Sequence, residues 1–110
     1  MRSLRTLAEE LEAGDYLAWQ AEDGGSEKST VAKEITQVKD HGSEIEIWAE
    51  GVRGGTYSVV VDPAGQSQSW FHPPDDTDPV PLGPIIFAER TETQTSVALK
   101  RGVFDSRGTH

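Results

Sequence analysis

Cysteine is absent from the 110 residues, which removes disulfides, thiolate metal sites and thiol nucleophiles from consideration. Asparagine is absent too, so no N-glycosylation sequon exists. Basic residues are scarce: ten Lys and Arg face nineteen Asp and Glu, for a net charge of -9. A surface of that sign repels phosphate backbones and anionic headgroups, which disfavours general nucleic-acid or membrane-surface binding. Long apolar runs are missing as well. The opening "MRSLRTLAEELEAGD" meets Glu9 and Glu10 before an apolar stretch develops, unlike a secretory signal, and no later run approaches membrane-spanning length. A cytoplasmic location is the expectation.

What remains is a chain of 35% hydrophobic residues whose apolar positions fall in ordered patterns, unlike a disordered sequence. Its length suits one domain with one core. The patterning covers residues 1–100, and the stretch 101–110 loses it and reads as a frayed tail. With only four lysines and many Asp, Glu, Thr and Gly residues, the composition resembles that of small acidic proteins from salt-loving archaea. In molar salt the Debye length is about 3 Å, so mutual repulsion among the carboxylates is screened. On that reading the acidity needs no acidic active site.

Residues 3–13 read as the single helix. Ser3 caps it, Leu4, Leu7, Ala8 and Leu11 form one apolar stripe, and Gly14 ends it. The period then changes to that of strands. "DYLAWQA" sets Leu17, Trp19 and Ala21 against Tyr16, Ala18 and Gln20. "STVAKEITQV" places Val31, Lys33 and Ile35 on one face and then shifts phase, which calls for a bulge or bend near Thr36. In "EIEIWAE" Ile45, Ile47 and Ala49 point inward while Glu44, Glu46, Trp48 and Glu50 point outward. Asp62-Pro63-Ala64-Gly65 is a type I turn inside a hairpin over 56–72. The segment "HPPDDTDPVPLGP" is a proline-broken connector, and 85–91 with 95–100 form a last strand pair. The predicted fold is mainly β: a small antiparallel barrel or strongly curved sheet of about six strands, with one N-terminal helix. Within it, "LEAGDYLAW" is similar to the opening of SH3-like and Tudor-like small barrels, where a Gly-Asp turn precedes alternating apolar and aromatic residues. That resemblance implies a fold and assigns no functional residue.

Several constellations invite chemistry. His72 with Asp75, Asp76 and Asp78 offers oxygen and nitrogen ligands, but the glycine and distal glutamate of a calcium loop are missing, and a single histidine is poor for zinc. "PVPLGP" suits a groove-docking proline segment or, more simply, a cover for a sheet edge. Glu44, Glu46 and Glu50 share one strand face at a spacing of about 7 Å, which a glycosidase would need to set in a deep cleft. No G-x-S-x-G elbow or Walker lysine is present. An Asp62–His72 pair across the hairpin lacks a matched nucleophile. No cofactor is expected.

Aromatic residues are more informative. Trp48 falls on the polar face of its strand, and the adjacent Trp70 and Phe71 must point to opposite sides. Either the helix covers these rings, or they form an exposed patch of the kind that seeds protein interfaces. The sequence therefore points to a non-catalytic module for a protein or peptide partner, or for a second copy of itself. Its face would be Trp48 with Trp70 or Phe71, rimmed by Tyr16 and Arg53. The alternative is a small metal-dependent or hydrolytic enzyme built on the His72–Asp78 loop.

Overall fold

The computed structural model describes residues 3–24 and 29–98. Its elements are helix α1 (Leu4–Glu10), strand β1 (Tyr16–Ala21), a 3-10 turn (Glu22–Gly24), and strands β2 (Ser29–Val31), β3 (Lys33–Asp40), β4 (Ile45–Glu50), β5 (Thr56–Val61), β6 (Ser67–His72), β7 (Val80–Gly83), β8 (Ile85–Thr91) and β9 (Ser96–Ala98). Seven strands form one antiparallel sheet in the order β7-β6-β5-β4-β3-β1-β8, strongly curled into a half-barrel. β2 and β9 make a separate antiparallel pair. The expected mainly β fold with one helix is present, with seven strands in the main sheet where about six were expected. The fraying expected over 101–110 lies outside the described residues.

Alternation sets the inner face. Ile45, Ile47 and Ala49 of β4 are all buried, as are Val59 and Val61, their neighbours on β5. On β3 the phase shift is resolved by a bulge: Ile35 pairs with Ala49 and Gln37 with Trp48, leaving Thr36 as the extra residue. Its hydroxyl donates to the Trp48 carbonyl at 3.3 Å. Ile35 and Val38 can therefore both face inward, Ile35 fully buried and Val38 packed on the core.

The helix is shorter than its apolar stripe. Ser3 caps it as expected, its Oγ accepting from Thr6 N at 3.1 Å. The helix ends at Glu10 because the chain turns extended at Leu11, and the Asp15 carboxylate takes the Glu12 N–H at 2.9 Å. Gly14, with φ of 97°, serves the following turn into β1. Leu4, Leu7, Ala8 and Leu11 nonetheless pack with Ile35, Ile45 and Val61 in one cluster, so the helix plugs one end of the inner face. Full burial of a leucine contributes roughly 2 kcal/mol, which is what holds so short a helix in place. Arg5 fastens it further, its guanidinium donating to the carbonyls of Gly42, Ser43 and Val61 at 3.2, 2.9 and 3.1 Å.

Three sequence expectations are corrected. The run from Ser29 does not continue through Ala32. β2 leaves the main sheet to pair with β9, and Val31 is exposed rather than inward. The strands at 85–91 and 96–98 are not each other's partners: β8 pairs with β1 and β9 with β2. This pair covers the far face of β1, where Ala18, Ala32, Phe87 and Val97 form a second small core. Finally, part of the proline segment is a strand. β7 adds to β6 as an edge, where Pro81 is tolerated because an edge position can forgo its donor.

Candidate binding face

The register of the β5–β6 hairpin decides which side chains meet. The turn expected at 62–65 is present, closed by Gly65 N donating to the Asp62 carbonyl at 3.0 Å. The Asp62 carboxylate also accepts from Ala64 N and Gln66 N, both at 2.9 Å. From there Val61 pairs with Ser67, Ser58 with Trp70 and Thr56 with His72. Trp48 pairs with Ser58 from the other side and with Gln37 on β3. Gln37, Trp48, Ser58, Trp70 and Pro81 thus line up across five strands on the outer, convex face.

Both tryptophans in that row are half-buried, and the small Ser58 between them is buried at 3% exposure. Two strand spacings, about 10 Å, separate the Trp48 and Trp70 backbones. His72, on the same face, stacks on Trp48 with ring centroids 4.7 Å apart and an interplanar angle of 35°. Its Nε2 hydrogen-bonds Ser58 Oγ at 2.7 Å. The Trp48 indole N–H donates to Glu46, two residues back on the same face. Glu46 also meets His41 Nε2 at 3.4 Å and Lys39 Nζ at 3.8 Å. The indole hydrogen bond is the main reason the Glu46 carboxyl is held below its usual range. Partial burial opposes it, and His41 and Lys39 add to the lowering.

The helix leaves these rings uncovered. It docks through its leucines on the inner cluster, whereas Trp48 and Trp70 share the outward side of β4 and β6 with Glu46, Gln68 and His72. Beside Trp70 the same face carries a groove of about 290 Å³ lined by Glu44, Val60, Asp62, Gln68 and Trp70, among others.

The remaining residues proposed from sequence do not join this face. Phe71 points inward, its ring 5.3 Å from Tyr57, which meets Trp19 edge-on at 5.1 Å. Burial raises the Tyr57 hydroxyl above its usual pKa. Tyr16 packs on the second core beneath the β2–β9 pair, its hydroxyl 3.5 Å from Glu34. Arg53 sits exposed on the β4–β5 turn with φ of 55°, followed by Gly54 at 81°. Positive φ at both central residues is the signature of a type I′ hairpin turn. Gly55 closes this turn beneath Phe71: a Cβ there would stand 2.6 Å from the Phe71 ring and 2.7 Å from the His72 carbonyl.

The aspartate loop behaves differently from a ligand shell. Asp75 accepts from the backbone and hydroxyl of Thr77, folding the connector on itself. His72 is turned to Ser58 and Trp48. Asp62 lies at the opposite end of the hairpin from His72. Among the described residues, no group of three His, Asp or Glu side chains is placed to hold a metal ion. Ser58, the hydroxyl facing His72, is too deeply buried to meet a substrate. Sequence reasoning passed over Ser58, yet the turn at 62–65 fixes its diagonal relation to His72.

Comparison with known proteins finds no family model, no curated protein and no solved structure that matches the chain. Among the described residues, no helix is long and apolar enough to cross a membrane.

Proposed function

We propose that the chain is a non-catalytic binding or adaptor module of a salt-adapted cytoplasm, docking a protein or peptide on its convex face. The observation that carries this reading is the row Trp48–Ser58–Trp70, held by His72 and Glu46, with the helix on the other side of the sheet. Rigid aromatic residues supply large contact area at small entropic cost and dominate interface energetics. Here their orientation is set beforehand by hydrogen bonds and stacking, which lowers the cost of ordering them on binding. A second copy of the chain fits less well as partner, because two faces each bearing Glu44, Glu46 and Glu50 would repel one another except in high salt.

The test is a pull-down in molar KCl with wild-type and Trp48→Ala baits, paired with thermal melts of both proteins. The reading expects Trp48→Ala to lose specific partners while Tm falls by only a few degrees. Unchanged recovery would remove the face from function. A large fall in Tm would assign the ring to the stability of the fold instead.

A further inference from the structure

Resting on that docking face, we infer that the groove beside Trp70 receives a cationic side chain of the partner, an arginine or lysine in an extended segment. The groove of about 290 Å³ is lined by the apolar Val60 and Trp70, by the acidic Glu44 and Asp62, and by Gln66, Ser67 and Gln68. Among the described residues, Glu44 has no ion-pair or side-chain hydrogen-bond partner. Asp62 uses Oδ1 for its own turn, and a carboxylate has a second oxygen with lone pairs to offer.

Charge and shape agree on the occupant. An indole face attracts cations, and carboxylates beside it hold the donors of a guanidinium or ammonium group while the aliphatic stem lies along the apolar lining. An anion entering here would meet two carboxylates and a net charge of -9. A purely apolar side chain would leave those carboxylates to be desolvated without compensation. The convex face thus divides its work: Trp48, with its indole N–H and one ring face already engaged, is a fixed contact surface, and the Trp70 groove selects by charge.

The experiment uses a blocked nonapeptide of three Gly-Arg-Ser repeats and its twin with citrulline, the uncharged isostere, in place of arginine. Both are titrated into the full chain at the lowest KCl concentration that keeps it folded, following the three indole N–H signals by NMR. The arginine peptide should shift the Trp70 signal and bind at least tenfold more tightly than its twin. Glu44→Gln should weaken it about threefold, the size expected of a partly exposed ion pair. Trp70→Ala should abolish saturable binding, and Glu89→Gln, on β8 at the far edge of the sheet, should change nothing. Equal binding of the two peptides overturns the inference. So does an equal loss from Glu44→Gln and Glu89→Gln, which would reduce the effect to overall charge. Shifts at Trp48 alone, with no charge preference, would leave the docking face standing and remove the cationic groove. The absence of any shift at Trp48 and Trp70 with both peptides would remove both.

Discussion

The two faces of the curled sheet use the same residue types for opposite ends. On the concave side Trp19, Tyr57 and Phe71 meet ring to ring and continue a core of Ile, Val and Leu side chains. On the convex side Trp48 and Trp70 stand in a row with a buried serine between them, and their neighbours are His72, Glu46 and Gln68. Phe71 and Trp70 are adjacent in sequence and fall on different sides of this divide. An aromatic residue backed by aliphatic ones is held by area removed from water. One backed by hydrogen-bonding groups is held in orientation at less cost to its exposure.

Substitutions on each face should separate these roles. The largest effect belongs to the concave core: Ile35→Ala, at a fully buried site, should lower stability by about 3 kcal/mol in denaturant melts. Gly55→Ala should cost about 2 kcal/mol, because the added Cβ is wedged against a backbone carbonyl as well as the Phe71 ring. Phe71→Ala should exceed Trp70→Ala, about 2 against about 1 kcal/mol, since Phe71 packs on Tyr57 and over Gly55 whereas Trp70 borders an open groove. Equal losses would erase the distinction between the faces. Ser58→Ala should cost about 1 kcal/mol by leaving His72 without its partner.

The smallest effect concerns pH. Glu46 has a folded pKa below its unfolded value, so its contribution to stability is fully present above the unfolded carboxylate pKa, about 4.3. That contribution is lost as pH falls through the lowered folded value. Glu46→Gln should therefore flatten the acid limb of the stability curve below that point, measured by urea melts from pH 7 down to pH 3. An unchanged limb would show that the Trp48–Glu46 hydrogen bond does not lower the Glu46 pKa in the folded protein.

How much of this was legible beforehand depended on the range of the signal. The inward set of β4, the hairpin with its turn at Asp62, and the bulge at Thr36 follow from short-range alternation and turn chemistry, and all three are present. The opposed directions of Trp70 and Phe71 follow from the same rule. The helix length was overestimated because the apolar stripe ran on through Leu11, while the Asp15 carboxylate, a competitor for the backbone, ended it sooner. Pairing of β2 with β9 and of β1 with β8 joins segments far apart in sequence, and no local pattern encodes such partners. The groove beside Trp70 also needs more than one element: it gathers Glu44 from just before β4, Val60 and Asp62 from the end of β5 and the turn after it, and Gln68 and Trp70 from β6.

The strand order also sets a timetable for folding. β3 to β7 are successive neighbours in both chain and sheet, so each can pair as soon as its predecessor exists. β1 must instead find β8 across the whole of this meander, matching Tyr16 to Thr91 and Gln20 to Phe87. Closing so long a loop delays that contact. Yet only Pro84 separates β7 from β8, and Ser67 Oγ accepts from Ile85 N at 2.9 Å just past it. The growing meander therefore delivers β8 to the rim by itself. β1 already has a local partner in β3, where Tyr16 pairs with Glu34 and Leu17 with Lys33, so the seam between β1 and β8 should be the last contact to form and the first to open.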